Sequence, residues 1–328
     1  MKNNCTIVMY HYVRELKKTK YPNIKGLEFE LFKNQLLFLK KHYNFIRLED
    51  CLEAISGGKP LPKNSVLLTF DDGYIDHYVN VLPLLESLEI QGFFFPPVRA
   101  IEERRVLDVN KIHFLLASTK EYKILIEDIF HLLNIIRSEG RDIISNEDLY
   151  FKLAIACDWD SSEVMFIKNL LQKELSVHLR SRIINELFMK YVTRDEKAFA
   201  DQLYMKKSQL KSMIKNGMII GAHGYEHVWM DAMEKEEQST DLNKCVLFLK
   251  SLGLSNDYLT ISYPFGGYNK SLLNQCENLN FRLGFTVDYG IAQINEKTRM
   301  ILKRIDTNHL PTEKEAEPND LKRLVIKS

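Results

Sequence analysis

The chain has 328 residues, of which 45% are hydrophobic and 27% charged, and its formal net charge is +1. This composition is typical of a globular protein and argues against disorder, and the length suits one large α/β domain with an insertion or two modest domains. The near-neutral charge gives no basic surface of the kind that nucleic acids bind, so no nucleic-acid partner is expected.

The cysteines and the N-terminal segment bear on the cellular compartment. Five cysteines are scattered along the chain without a C-x-x-C pair, which indicates reduced thiols. No run approaches the roughly 18 apolar residues of a membrane span, and residues 1–13 lack the apolar core of a signal peptide. We therefore expect no membrane span and a cytoplasmic location.

Short apolar runs rich in β-branched residues alternate with helical patterns along most of the chain. Such alternation is typical of βα units around a parallel sheet or barrel. The predicted strands are residues 6–10, 65–70, 92–95, 218–222, 259–263, 281–287 and 299–305. The predicted helices are residues 29–42, 75–88, 208–216, 234–252 and 270–278.

The middle of the chain departs from this alternation. Residues 102–205 show no convincing strand, but three stretches, near 125–136, 166–171 and 183–191, have apolar residues at helical spacing. We interpret 102–205 as an α-helical insertion near the rim of the active site, where strand-to-helix loops carry function. A purely structural or dimerising role fits the pattern equally, and a homo-oligomer could form through this insertion.

An apolar strand runs directly into Asp71, Asp72 and Gly73. The turn at Gly73 lets both carboxylates converge on one pocket, where like charges repel unless a cation intervenes. One carboxylate could then bind a metal while the other acts as a base. The alternative is an ordinary turn in which Asp72 caps the following helix.

Two histidines follow another predicted strand, at His223 and His227. The spacing places both imidazoles on one side of a helical turn, which is a common way to hold zinc, although such pairs also occur by chance. The small residues Gly221, Ala222 and Gly224 leave room for a metal and a substrate. With Asp72, the histidines would give three ligands and an open position, as in catalytic zinc sites.

These motifs resemble a known family. Residues 69–73 and His223-x-x-x-His227 are similar to the first two signature motifs of the polysaccharide deacetylases, also called carbohydrate esterase family 4 or the NodB-homology group. Residues 262–267 are similar to the third. The resemblance implies an α/β fold, a distorted, incomplete (β/α) barrel of the NodB-homology type that carries the metal at the C-terminal ends of its strands.

The resemblance also sets the predicted boundaries. The discontinuous barrel takes residues 1–101 and 206–312, the α-helical insertion takes 102–205, and a loosely ordered tail takes 313–328.

Carried over residue by residue, the resemblance implies that Asp72, His223 and His227 hold one divalent metal, with zinc preferred and cobalt, nickel or manganese as alternatives. It makes Asp71 the base, which takes a proton from a water activated by the metal. The backbone N–H of Phe265 would stabilise the oxyanion. The predicted substrate-binding and oxyanion group comprises Pro264, Phe265, Gly266 and Arg304.

The sequence departs from the family pattern at three positions. Ser262 replaces the arginine that orients the base, and Phe265 replaces a tyrosine, which leaves the backbone donor unchanged. Arg304 stands where the late motif has the histidine that supplies the general acid. Arg304 could orient Asp71 from another direction, or it could be an ordinary salt-bridged arginine.

The general acid must therefore come from elsewhere. His11 follows the first predicted strand and is the favoured candidate, because similar Tyr-His pairs begin many relatives; a structural histidine is the alternative. His309 is a second candidate. If neither acts, Asp71 would serve as both base and acid.

The sequence therefore predicts a metal-dependent hydrolase that removes an N-acyl group, most often acetyl, from an amino sugar during surface-glycan biosynthesis. The sugar would be nucleotide-linked, lipid-linked or part of an oligosaccharide. An amide hydrolase of nitrogen metabolism with the same fold is one alternative. A catalytically inactive glycan-binding or assembly protein is the other.

Overall fold

The computed structural model describes residues 3–157, 160–313 and 316–317. The chain forms two compact units, which we call the barrel unit and the helical unit. The barrel unit comprises Met1–Glu15, Gly26–Arg104 and Asp201–Ser328, and the helical unit comprises Leu16–Lys25 and Arg105–Ala200. Most of the predicted tail, residues 313–328, lies outside the described residues.

Eleven strands are formed within the described ranges. They are β1 (Asn4–Tyr10), β2 (Val13–Arg14), β3 (Leu27–Glu28), β4 (Asn44–Phe45), β5 (Ser65–Asp71), β6 (Gly92–Phe95), β7 (Ile219–Ile220), β8 (Thr260–Ser262), β9 (Leu283–Tyr289), β10 (Ala292–Gln293) and β11 (Leu302–Asp306). Each of the seven predicted strands overlaps one of them. The two-residue strands β2, β3, β4 and β10 were not predicted, because two residues are too few to show a period.

The main sheet is a parallel barrel that closes almost completely. Its strand order is β7-β6-β5-β1-β11-β9-β8, with β4 beside β5 and β10 antiparallel to β1. The two ends of this order meet at a single parallel bridge between Ala222 and Ile261. The predicted (β/α) barrel with incomplete closure is confirmed.

The central strand β5 brings the acidic pair into the barrel. All seven of its residues are buried, as expected for a parallel strand covered on both faces. It pairs with β1 on one side, Tyr10 opposite Phe70, and with β6 on the other, Asp71 opposite Phe95. The rings of Tyr10, Phe70 and Phe94 stack across these strands at 5.1 and 4.8 Å between centroids. This packing fixes the level at which β5 ends.

The helices of the barrel unit cover the strands. They are α1 (Phe29–His42), α2 (Leu48–Ile55), α3 (Leu82–Ser87), α4 (Val98–Glu102), α11 (Lys207–Lys215), α12 (Lys235–Leu252) and α13 (Lys270–Asn278). The predicted helix 75–88 contains α3 preceded by a π-helical turn, His77–Val81. Helices α2 and α4 were not predicted, since both are short.

The helical unit contains more helices than its sequence pattern suggested. They are α5 (Asp108–Ser118), α6 (Tyr122–Ser138), α7 (Asn146–Leu153), α8 (Ser162–Asn169), α9 (Val177–Tyr191) and the start of α10 (Glu196–Leu203). The three predicted amphipathic stretches lie in α6, in α8 with the π-helical turn that follows it, and in α9. Their apolar positions, such as Ile129, Phe166 and Leu187, are buried.

Residues 16–25 belong to the helical unit, whereas the sequence pattern placed them in the barrel. The ring of Tyr21 contacts Phe114 at 5.0 Å and Phe199 at 6.1 Å, and Lys25 forms an ion pair with Asp160. These contacts join positions more than 90 residues apart in sequence, so no local pattern could reveal them.

Gly221 is required for closure of the barrel. A Cβ atom at this position would lie 2.4 Å from the ring of Phe95 and 2.5 Å from Thr260 Oγ1. We expect Gly221→Ala to lower the free energy of unfolding by about 1–3 kcal/mol, the usual cost of overpacking a core. Urea denaturation measures this loss. Gly253→Asn is the control, since a Cβ there meets open space and Asn tolerates the left-handed conformation at the end of α12.

Candidate active site

The chemically active residues lie at the C-terminal ends of neighbouring strands. Asp71 ends β5, His11 follows β1, and Arg304 lies near the end of β11. His223 follows the bridge that closes the barrel, and Ser262 ends β8. In parallel β/α proteins this edge of the sheet carries the active site.

A sharp turn separates the two carboxylates. Asp72 and Gly73 both have left-handed backbones, with φ of 69° and 65°. A Cβ atom on Gly73 would lie 2.6 Å from Pro96 Cβ, so only glycine fits. Because of this turn, the carboxylates of Asp71 and Asp72 have different partners, although both are buried.

Asp72 lies against the two histidines. His227 Nε2 is 3.2 Å and His223 Nε2 is 3.5 Å from Asp72 Oδ1. The three ligand atoms lie within 4.8 Å of one another. Ligands about 2.0–2.1 Å from a tetrahedral zinc ion are roughly 3.4 Å apart, a spacing that both distances from Asp72 Oδ1 match.

Hydrogen bonds hold the His223 imidazole and the loop that carries His227. The carbonyl oxygen of Ser262 accepts a hydrogen bond from His223 Nδ1 at 2.7 Å, so a neutral imidazole keeps its lone pair on Nε2. The loop that carries His227 is held by Asp241, whose carboxylate accepts from the backbone N–H groups of Tyr225 and Glu226. The two histidines are therefore held by different contacts, and His227 Nδ1 has no hydrogen-bond partner among the described residues.

The charges of this cluster are strongly coupled. Burial acts to raise the pKa of Asp72, but contacts with His223 and His227 outweigh it and hold that pKa well below its usual range. Burial acts to lower the pKa of His223, but Asp71 and Asp72 outweigh it, so this pKa is raised. The pKa of His227 is lowered, because burial outweighs its attraction to Asp72. These shifts favour the ionised form of Asp72 and the neutral form of His227, as metal binding requires, whereas His223 would have to release its proton when a metal binds.

Asp71 is paired with Arg304. Arg304 Nη1 donates to Asp71 Oδ1 at 3.1 Å and Nη2 donates to Oδ2 at 2.8 Å. The other N–H groups donate to Thr69 Oγ1, Ser262 Oγ and the Thr286 carbonyl. Arg304 is 1% exposed, and each of its five N–H groups has an acceptor. Arg304 thus contacts Asp71, which is the alternative that the sequence analysis offered beside its place in the predicted substrate-binding group.

The ion pair determines the charge of Asp71. Burial acts to raise its pKa, but the charges of Arg304 and His223 outweigh it and lower the pKa to about 2. Ser262 Oγ adds a hydrogen bond to Asp71 Oδ2 at 3.2 Å. Arg304 thus supplies the positive charge beside Asp71 that the family pattern expects from an arginine at residue 262. The small side chain of Ser262 leaves room for it.

The third motif forms a wall beside the histidines. Pro264 to Gly266 make a single 3₁₀ turn in which Phe265 has a left-handed backbone, with φ of 56°. The Phe265 ring lies 4.9 Å from His227 and stacks on Trp229 at 5.0 Å. Such a conformation is rare for a bulky residue and is found mainly where function requires it.

His11 lies close to both carboxylates. Tyr10 of β1 pairs with Phe70 of β5, and His11 and Asp71 are the residues that follow this pair. The charge of His11 lowers the pKa of Asp71 and of Asp72. Its carbonyl oxygen accepts a hydrogen bond from His77 Nε2 at 2.8 Å. His309 lies beyond β11, and its ring packs against Tyr289 at 4.7 Å.

Several contributors were not identified from the sequence. Thr69 accepts from Arg304, His77 holds the backbone of His11, Asp241 holds the histidine loop, and Tyr74 donates to Asp72. Thr69 and Tyr74 had a local signal, since they lie within or directly after the motif at residues 69–73. His77 and Asp241 act through contacts with backbone atoms, which no local pattern records.

Replacing Arg304 with Met tests the ion pair. The change leaves Asp71 buried without a counter-charge, so we expect the free energy of unfolding near pH 7 to fall by about 3–5 kcal/mol. Because the pKa of Asp71 is about 2 in the folded protein and 3.8 ordinarily, the pair stabilises the fold above pH 3.8 and this contribution is lost as the pH falls towards 2. The destabilisation should therefore shrink over that interval, as measured by urea denaturation of metal-free protein.

Arg182→Met is the matched control. Arg182 forms a bidentate ion pair with Glu139 on the surface, where solvent screens it. Equal losses of unfolding free energy at neutral pH would show that the buried Asp71–Arg304 pair stabilises the fold no more than an ion pair on the surface.

The chain is similar in sequence to known proteins. Residues 58–124 and 184–284, just over half of the chain, match the sequence profile of the polysaccharide deacetylase family. A poly-β-1,6-N-acetyl-D-glucosamine N-deacetylase of Escherichia coli K12 is 37% identical over 65 residues, which are 20% of this chain and 10% of that protein. The chain thus spans about a tenth of the length of this curated relative.

Solved structures show the same fold. The Streptococcus pyogenes deacetylase PplD, in complex with acetate, superposes with a TM-score of 0.59 at 18% identity, over 99% of each chain. IcaB from Ammonifex degensii gives 0.55 at 16% identity, over 99% of this chain and 96% of that one.

No helix in the described ranges is long and apolar enough to cross a membrane. On the sequence match and the barrel together, the chain belongs to the polysaccharide deacetylase family.

Proposed function

We propose that the chain is a metal-dependent hydrolase that removes an N-acyl group, chiefly acetyl, from an amino sugar in surface-glycan biosynthesis. The arrangement that best supports this function is the ion pair of Asp71 with Arg304 directly beside the cluster of Asp72, His223 and His227. A base and a set of metal ligands are thus adjacent but distinct. The E. coli relative, named for poly-N-acetylglucosamine, supports N-acetylglucosamine as the sugar.

Asp72, His223 and His227 would hold one divalent ion, and the two-nitrogen, one-oxygen donor set suits zinc. When bound, the ion would supply Lewis acidity at the acyl carbonyl and lower the pKa of a water. The side chains of these three residues reach the site from two different strand ends, so the barrel itself sets their spacing.

Asp71 would accept a proton from the attacking water. With a pKa of about 2, its carboxylate is ionised throughout the neutral range, and it is also a weak base. Its catalysis therefore depends on a water whose own pKa has been lowered. Arg304 and Ser262 hold the carboxylate in one orientation, so little reorganisation accompanies the transfer.

Phe265 would stabilise the tetrahedral oxyanion through its backbone N–H. One such donor typically lowers the barrier by about 3–4 kcal/mol. The left-handed backbone of Phe265, between Pro264 and Gly266, sets the direction of this N–H group. The stacked rings of Phe265 and Trp229 would wall the sugar side of the site.

His11 would donate a proton to the leaving amine. An amine is a poor leaving group unless it is protonated, so a general acid is needed on the side opposite the base. His77 supports this role, because its hydrogen bond to the His11 carbonyl fixes the backbone after β1.

The first test separates metal binding from proton transfer. We expect one divalent ion per chain in the wild type, and its loss in Asp72→Ala and His223→Ala, as measured by elemental analysis. Asp71→Asn should keep the ion while its rate of N-deacetylation of chito-oligosaccharides falls about 10²- to 10⁴-fold.

Two outcomes would contradict the proposal. An active wild type that contains no metal would exclude the metal-dependent mechanism. A wild type that binds metal but is inert on a broad panel of N-acyl sugars would favour a glycan-binding role instead.

A second test identifies the general acid. We expect His11→Gln to reduce hydrolysis of the sugar amide by about 10²- to 10⁴-fold. Cleavage of an aryl acetate should be much less affected, because a phenolate leaves without protonation. His309→Gln is the matched control and should change neither rate. The reverse pattern would assign the acid to His309, and equal loss on both substrates would exclude an acid role for His11.

The remaining expectations stay predictions. They are the carrier of the sugar, whether nucleotide, lipid or oligosaccharide, the cytoplasmic location, and a homo-oligomer through the helical insertion.

A further inference from the structure

Tyr74 contacts the carboxylate of Asp72 from the side opposite the histidines. Its hydroxyl donates to Asp72 Oδ2 at 2.5 Å, whereas Asp72 Oδ1 faces His223 and His227. The two oxygens of one carboxylate thus have different partners. Tyr74 is completely buried, and the mechanism above does not use it.

The ring of Tyr74 is held firmly. It stacks on Tyr12 with 3.9 Å between centroids and an interplanar angle of 19°. It lies nearly parallel to Tyr204, at 6.2 Å and 10°. Its backbone follows Gly73, whose contact with Pro96 leaves no room for a larger residue. The hydroxyl can therefore not follow Asp72 if that carboxylate rotates.

The hydroxyl also remains a donor. Its oxygen lies 2.5 Å from Asp72 Oδ2, and an ionised carboxylate has no proton of its own to donate. A protonated phenol next to a carboxylate can only donate to it. The hydrogen bond is charge-assisted and hence among the stronger ones in proteins.

We propose that Tyr74 is a positioning residue that holds Asp72 with Oδ1 directed towards the two histidines. A bond to Oδ2 keeps the carboxylate from rotating away, and a ligand that is oriented in advance binds a metal more tightly. Partners of this kind orient ligands without touching the ion. The inference rests on the proposed metal site.

Tyr74→Phe tests this role, because it keeps the ring stacks and removes only the hydroxyl. We expect the dissociation constant for Zn²⁺, measured by competition with a chromophoric chelator, to rise about 10- to 100-fold. A purely structural role would lower the unfolding temperature of the metal-free protein and leave this constant unchanged. Zn²⁺ affinity is therefore measured at a temperature at which both the wild type and the variant are folded without metal.

Tyr10→Phe is the matched control. Its hydroxyl is also buried in the barrel, but it has no hydrogen-bond partner within the described ranges. We expect its Zn²⁺ affinity to equal that of the wild type. A loss in Tyr10→Phe as large as that in Tyr74→Phe would overturn the inference.

Tyr12→Phe provides a second variant if Tyr74→Phe does not fold. The Tyr12 hydroxyl bonds to that of Tyr74, so its removal should weaken Zn²⁺ binding in the same direction by a smaller factor. Unchanged affinity in the variant that folds would contradict the inference alone. A wild type without Zn²⁺ affinity would instead contradict the proposed function.

Discussion

The site depends on the burial of two neighbouring carboxylates at the end of one strand. Asp71 and Asp72 are 2% and 4% exposed, and two charges that close are stable only if each has its own cation. Arg304 supplies one of them through two hydrogen bonds. The positive charge beside Asp72 comes from His223 and His227, or from an ion that they would share with Asp72. This requirement explains why residues from the ends of β5, β7 and β11 converge on one place.

Backbone strain keeps the two carboxylates apart. Asp72, His227 and Phe265 all have left-handed backbones, which cost of order 1–3 kcal/mol each for residues other than glycine. The cost is met by the packing of the barrel, in which the strand beneath Asp71 is buried along its whole length. As a result one carboxylate faces an arginine and the other faces the histidines. Two carboxylates adjacent in sequence thus do not compete for one partner.

Much of this arrangement could be predicted from the sequence, but its supporting contacts could not. Buried strands that end in Asp71 and before His223 carry local signals, so the barrel and the clustering of Asp72, His223 and His227 could be predicted. Arg304 was recognised only as a candidate, because its contact with Asp71 joins residues 233 positions apart. The bond from Tyr74 depends on the left-handed turn before it, which no periodicity records. Residues 16–25 were misassigned, since aromatic contacts with distant helices decide their place.

The central claim is that Asp72, His223 and His227 hold a metal ion next to an Asp71 that is paired with Arg304. Anomalous diffraction from a crystal grown with zinc, collected on both sides of the zinc absorption edge, tests it most directly. We expect one strong peak about 2.0–2.2 Å from Asp72 Oδ1 and from Nε2 of each histidine, with the Asp71–Arg304 pair intact. A peak that includes Asp71 as a ligand, or no peak at these residues, would contradict the account.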